Sequence, residues 1–323
     1  MQRLRYLRKD VRNNWDLYLL AIPLVVYYVI FCYGPMYGLQ IAFMDYNPWK
    51  GMEGSTYAGL KHFRNFLSLS TSFDYIINTL RISLCSLIFS YPLPILLALM
   101  FNAVPAKRFR KTTQTVFYMP HFVSTVVVVG MLTLFTNNQV GAINQIIRLF
   151  GGSGIDFNKA SSFLPTYLIS GIWQGAGWST IIYTGALTSV NPELYEAAMV
   201  DGASKFQRIR HIDIPAIVPT MSITLILAVG GLMSVGHEKV YLMQNPTNIS
   251  VSEIISTYSY KAGLISGQYS YSSAIGMFNS VVNFILLLIA NVASKKFTSL
   301  NILYDLFCYC NLNPGRANPT PRW

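Results

Sequence analysis

Six apolar runs, at about residues 17–37, 76–104, 116–135, 163–190, 216–235 and 273–293, constrain this chain more than any other feature. A run of about 20 apolar residues matches the hydrocarbon layer of a bilayer, where each backbone N–H and C=O must find its partner within the protein. The pattern predicts an all-α, polytopic membrane protein with six transmembrane helices. Charge agrees, since 11% of the 323 residues are Asp, Glu, Lys or Arg, against about 25% in an ordinary soluble domain. The first run follows a basic segment, but it is long and five more come after it, so it reads as a retained span rather than a cleaved signal.

A net charge of +11 would point to nucleic acid in a soluble protein. Here topology explains it, and no nucleic-acid partner is expected. Sixteen of the 24 Lys and Arg fall in the N-terminal segment, at Lys107 to Lys111, between the fourth and fifth runs, and at the C-terminal end; seven fall in the opposite loops. The positive-inside rule then places both termini in the cytoplasm. The expected organisation is a basic segment 1–16, a permease domain 17–297 with a cytoplasmic loop 191–215, and a tail 298–323 too short for a seventh span. Trp15 and Tyr18 mark an interface before the first span. Pro92 and Pro94 are expected to kink the second. Gly171 and Gly175 have the spacing that lets helices approach. Residues 38–75, 137–162 and 236–272 read as external segments. Cys32 and Cys85 lie in spans, and Cys308 with Cys310 has no second pair, so no metal site is expected.

The stretch Asn191 to Pro215, NPELYEAAMVDGASKFQRIRHIDIP, is a polar island between two spans. Asn191 can cap a helix beginning at Pro192, with Glu193 and Glu196 near the positive end of its dipole. Gly202 is placed to end that helix in a left-handed turn. Ser204 and Gln207 have the spacing of a capping box, and a second short helix should run to about His211 before Pro215 opens the next apolar run. Leu194, Ala197 and Ala198 share one face of the first helix, and Phe206 and Ile209 one face of the second.

The order Glu196-Ala197-Ala198, Gly202, Ile212, Ile214, Pro215 resembles the EAA loop of ABC importer permeases, whose usual form has Leu where this chain has Ile214. The lead-in Asn191 to Tyr195 is similar to that of maltose-transporter-like sugar permeases. YGLQIAF, DYNP, GLKHF, YMPHF and GQYSYSSAIGMF resemble the oligosaccharide and polysaccharide branch, which includes alginate-type permeases. The resemblance covers roughly Trp15 to Phe297. It implies the type I ABC importer permease fold, a place in the bacterial cytoplasmic (inner) membrane, and ATP-driven alternating access. It implies as partners a second homologous permease, two copies of a cytoplasmic ATPase that bind ATP and Mg, and an extracytoplasmic solute-binding protein. The residues expected to couple to the ATPase are Glu193, Glu196, Ala197, Ala198, Asp201, Gly202, Phe206, Ile212 and Pro215.

The residues bear on the energy source independently. No GxxxxGK[ST] phosphate loop is present, so the chain is expected to bind no nucleotide cofactor and to be no enzyme. No carboxylate falls at mid-span, which disfavours the alternative of an ion-coupled secondary sugar transporter; His121 and Arg81 are the titratable candidates near membrane depth, and His121 reads as packed beside Pro120. Aromatic and amide side chains suit a sugar, so Trp173, Gln174, Trp178, Ser234, His237, Glu238, Asn279 and Asn283 are the expected substrate pathway. The outer loops carry seven cations and six acids, a balance that leaves a uronate-containing, alginate-like cargo resting on the resemblance.

Overall fold

The computed structural model describes residues 13–298; the basic segment through residue 12 and the tail from 299, with Cys308 and Cys310, lie outside the described residues. The described residues divide into two compact units, one of those up to Leu69 with Ser259–Phe278, the other of Ser70–Tyr258 with those from Asn279 on.

The first unit begins with α1 (Trp15–Phe43), a 29-residue helical rod whose most apolar window has no buried residue. Its last turns are 3-10, so the helix carries past Gly38 into what the sequence reads as loop. A hairpin comes next, β1 (Met44–Asn47) and β2 (Gly51–Tyr57), with Met44 opposite Tyr57. Then comes α2 (Lys61–Ser68). Lys61 Nζ lies 2.8 Å from the Asp45 carboxylate, and its hydrogen bond is the main cause holding that carboxyl below its usual range. The segment 259–278 completes the unit. Tyr46 N donates to Ser270 Oγ at 2.9 Å, and Phe66 packs against Phe278 with ring centroids 5.6 Å apart.

The second unit contains α3 (Ser72–Ala103), α4 (Lys107–Phe122), α5 (Thr125–Phe135), α6 (Ala142–Leu149), α7 (Ala160–Thr188), α8 (Pro192–Val200), α9 (Lys205–Gly230), α10 (His237–Met243), α11 (Ile249–Ser252) and most of α12 (Ile255–Tyr260). The two units share α13 (Tyr269–Thr298). The second unit is organised on α7. Phe163 and Tyr167 from its first half join a buried cluster with Ile82, Val129, Val240, Met243 and Ile254. Tyr183 and Leu187 from its second half join another with Ile95, Ala98, Leu99 and Ile217.

Four single helices, α1, α3, α9 and α13, are long and apolar enough to cross a membrane, and α4 with α5 makes a fifth if the pair is one span. At 29 residues α7 is long enough, but its Ser, Thr and Gln side chains lower its hydropathy. A helix walled by other helices has no need of an apolar surface on every side.

Three expectations need correction. The third span, read as one helix over 116–135, is two helices bent by 94°. Pro120 lacks an amide hydrogen, Val123 is extended, and Ser124 restarts the chain by accepting from Val127 N at 3.4 Å. The second loop helix does not stop near His211. It runs on through a π turn, Ile209–Asp213, into α9, which ends at Gly230 rather than 235. In that turn Ile214 N reaches back to Ile209 O, so the extra residue absorbs the ladder bond Pro215 cannot donate. The close helix approach is not at Gly171 and Gly175. It is at Gly177, where an added Cβ would lie 1.9 Å from the Phe117 carbonyl oxygen, whereas one at Gly175 meets nothing within 4 Å.

The external segments are also more ordered than their loop reading. Residues 137–162 contain α6 and the buried Asn144, which donates to Thr136 O at 2.8 Å and Ile155 O at 2.9 Å. Residues 236–272 contain α10 to α12. The second span passes Pro92 and Pro94 with Tyr91 at helical torsions (φ −70°, ψ −43°).

Because the atom facing Gly177 is backbone, it cannot swing aside. We expect Gly177→Ala to lower the unfolding stability of the detergent-solubilised chain by about 2–4 kcal/mol. Gly185→Ala, whose Cβ meets nothing within 4 Å, should leave it unchanged or higher. Equal melting of the two variants would show that the approach at Gly177 is not tight.

Candidate functional site

The stretch Asn191 to Pro215 forms the caps its residue types call for. Asn191 Oδ1 accepts from Glu193 N at 3.1 Å, with Pro192 in the first turn. Beyond α8, Ala203 N bonds Ala198 O at 2.8 Å and Gly202 N bonds Met199 O at 3.1 Å, the crossed pair of a Schellman turn, with Gly202 at φ +73°. Ser204 and Gln207 complete a capping box, with Ser204 N to Gln207 Oε1 at 2.7 Å and Gln207 N to Ser204 Oγ at 3.3 Å. Each orphan group met here is met locally, so the caps fix where the first helix starts and stops and where the second begins. Glu193, Glu196, Ala197, Asp201, Gly202, Phe206 and Pro215 are exposed, and Ala198 and Ile212 are half-buried. Leu194, Met199, Val200 and Phe206 leave large apolar surface open, Phe206 at 71%.

One carboxylate ties this surface to the helices behind it. Asp213, on the π turn, is 3% exposed. Its Oδ1 accepts from Tyr195 OH of α8 at 2.5 Å and from Asn102 Nδ2 of α3 at 3.2 Å. Asn102 Nδ2 also reaches Tyr195 OH at 3.4 Å. The Tyr195 hydroxyl is pushed up to about 12 by burial first and by the Asp213 hydrogen bond second, so it stays a donor. A regular α turn advances each residue by about 100°, and the one extra residue of a π turn rotates every residue beyond it. The turn that accommodates Pro215 therefore also sets where Asp213 sits.

The bend at Val123 builds the second feature. Gln174 Nε2 donates to Val123 O at 2.8 Å, meeting a carbonyl the bend removes from the helical ladder. Trp178, one turn further along α7, stacks on His121 with ring centroids 4.5 Å apart and planes 6° apart. Beside them a cavity of about 450 Å³ is lined by His121, Ser124, Thr125, Gly171, Gln174 and Gly175. Gln174 and Trp178 thus come together with His121, while Trp173 faces away, into an apolar groove with Val128, Leu132 and Ile169.

The remaining candidates fall elsewhere. Asn283 accepts from Met233 N at 2.9 Å and donates to Ser234 Oγ at 2.8 Å, closing the chain just past the end of α9. It is therefore occupied in a cap rather than free to line a path with Asn279, whose Oδ1 is buried without a hydrogen-bond partner. His237 stacks on Tyr241, and Glu238 is exposed. A further cavity of about 460 Å³ is walled by Ser83, Ser86, Ser90, Tyr91, Ser179 and Thr224 among others. Sequence reasoning passed over these hydroxyls, although Ser83, Ser86 and Ser90 recur at helical spacing. It also passed over Asn102 and Tyr195, which nothing local marks.

Residues 90–299 match the family described as binding-protein-dependent transport system inner membrane component. The polygalacturonan/rhamnogalacturonan transport system permease protein YteP of Bacillus subtilis (strain 168) is 44% identical over 92% of this chain and 92% of its own. A chain in the crystal structure of a bacterial ABC transporter involved in the import of the acidic polysaccharide alginate superposes with a TM-score of 0.80, at 39% identity over 91% of this chain and 99% of that one. A second structure of the alginate transporter, in complex with an alginate pentasaccharide-bound periplasmic protein, gives 0.81 at 38% identity over the same shares.

If Tyr195 and Asp213 act as one unit, their deletions will not add. In a double-mutant cycle of Tyr195→Phe and Asp213→Asn, we expect an interaction energy of about 1–2 kcal/mol in the unfolding of the solubilised chain. Additivity within about 0.5 kcal/mol would show that the two side chains do not meet.

Proposed function

The chain belongs to the family of binding-protein-dependent transport system inner membrane components, and from that premise we propose that it carries an acidic, uronate-containing oligosaccharide across the cytoplasmic membrane. The observation that supports the cargo reading is the agreement of two relatives at about 40% identity, one named for polygalacturonan/rhamnogalacturonan transport and one from a transporter involved in alginate import. Both cargoes are chains of or containing uronic acids, so the class is shared though the sugar differs.

The chain is a permease component and draws on an ATPase carried by another subunit. On this reading α8 and the start of α9 form the surface that a cytoplasmic ATPase grips. Their exposed Leu194, Met199, Val200 and Phe206 offer the apolar anchors of a helix-in-groove contact, and the positive-inside count puts this surface in the cytoplasm. A solute-binding protein on the other face delivers the sugar, as in the alginate complex, and a second, similar permease completes the pore. Two ATPase copies closing together rock the permease pair from inward to outward facing. Asp213, hydrogen-bonded to α8 and α3 and lying within α9, passes the movement of the gripped surface into two membrane helices. The cavity beside His121, Gln174 and Trp178 is the candidate sugar site, with an aromatic wall and amide and hydroxyl groups suited to a pyranose.

The test is uptake of oligogalacturonides into vesicles holding the reconstituted complex. We expect ATP-dependent uptake driven by the loaded binding protein, and no uptake without the ATPase subunits. Gly202→Asp should let the chain accumulate and abolish both uptake and sugar-stimulated ATP hydrolysis, because a Cβ at φ +73° strains the turn and a carboxylate is set among the apolar anchors. Sugar-stimulated hydrolysis at the wild-type rate in that variant would remove the coupling role from this surface.

A further inference from the structure

Lys239 sits where a lysine is costly. It lies on α10 beside Val240 and is 8% exposed, packed near the cluster of Tyr167, Val240, Met243 and Ile254. Its Nζ donates to Tyr167 O at 3.2 Å and stands 5.1 Å from the Tyr167 ring centroid. No carboxylate answers it: the ion pairs among the described residues join Asp45 to Lys61 and His62, and Asp156 to Lys159. A buried ammonium without a counter-ion costs several kcal/mol. One carbonyl and one ring face leave part of its three-donor capacity unused. A Leu or Met would fill the same space at no such cost.

The ammonium also lies behind a glycine that lines the cavity described above. A Cβ built on Gly171 would stand 3.4 Å from Lys239 Nζ, and Gly171 lines the cavity with His121, Ser124, Gln174 and Gly175. Gly171 has no side chain of its own to stand between that cavity and the charge behind it. We propose that Lys239 is the specificity-determining cation of this permease, reached past Gly171 by a carboxylate of the passing sugar. An acidic residue on the cargo meets a full charge where water is scarce, and a neutral sugar leaves that charge unanswered. Burial holds the ammonium down to about 8, so a carboxylate at hydrogen-bond distance would also restore its full protonation near neutral pH.

The inference rests on the uronate reading of the cargo, and methyl esterification separates the two, since it removes the sugar's charge and keeps its ring. The measurement is the ratio of uptake rates, at limiting sugar, for oligogalacturonides and their methyl esters in vesicles holding the reconstituted complex. We expect the wild type to prefer the acid. Lys239→Met should collapse that preference by roughly ten- to a hundredfold, the size of a charge-assisted hydrogen bond, and Lys239→Arg should keep it. If Lys239→Met does not accumulate, Gly171→Ala decides, because its methyl group closes the gap and leaves the lysine in place; it too should collapse the ratio. An unchanged acid preference in Lys239→Met, or in Gly171→Ala where that variant decides, overturns the role of Lys239 and leaves the cargo reading standing. A wild type that takes up both sugars equally overturns the cargo reading and this inference with it.

Discussion

Proline in a bilayer is the constraint on which the functional geometry rests. No water reaches the hydrocarbon layer, so every carbonyl a proline orphans must be met by protein or by a change of helix type. This chain uses three solutions. At Pro92 and Pro94 the helix continues through Tyr91 at helical torsions. At Pro215 a π turn inserts one residue and shifts the register of the helix beyond it. At Pro120 the chain gives up the helix, turns by 94° and restarts at Ser124. The last two build the sites. The π turn accompanies the inward placement of Asp213. The bend exposes Val123 O, which Gln174 meets, and opens the cavity beside His121 and Trp178.

Buried Asp213 then gives the exposed surface a mechanical meaning. Loop helices held by their own caps alone could be gripped and moved without moving anything else. Tyr195 and Asn102 share one acceptor oxygen, so α8 cannot shift against α3 without leaving a buried carboxylate short of a donor. That loss is more expensive than a surface ion pair, because the deprived group stays buried. Stiffness at this point is what the proposed joint between ATPase and membrane helices would require. Gly177 and the Phe117 carbonyl add a second stiff point, holding α7 against α4.

What the sequence made legible was local. Asn191, Gly202, Ser204 and Gln207 satisfy or place groups within two to five residues and Pro192 fills the first turn, each as its residue type predicts. The Asp213 partnership was not legible, since Asn102 stands 111 residues away and its nearest neighbours in sequence are ordinary span residues. The loop helix and the fifth span were read as separate because Pro215 normally breaks a helix, and a π turn has no sequence signal of its own. Trp173 was grouped with Gln174 and Trp178 by nearness in sequence; helical spacing alone pairs 174 with 178 and sends 173 about 100° away. The six apolar runs were legible as hydrophobic stretches. The helix that contributes to both buried clusters, α7, falls short of the hydropathy of a span, so hydropathy is a weak guide at the centre of the second unit.

Charge counting illustrates the same limit for the cargo. Seven cations against six acids in the outer loops reads as neutrality, and would argue against an acidic sugar if all charges weighed alike. They do not. Lys61 and Lys159 already face Asp45 and Asp156 at 2.8 and 4.0 Å, and exposed charges are screened within about 8 Å at physiological salt. A cation that is 8% exposed acts through a lower dielectric, where the same Coulomb interaction is several times stronger. On the proposed role of Lys239, one such lysine behind a cavity-lining glycine outweighs a balanced population on the surface. The relevant quantity for an acidic cargo is therefore the unpaired buried charge along its route, to which the net charge of the loops is blind.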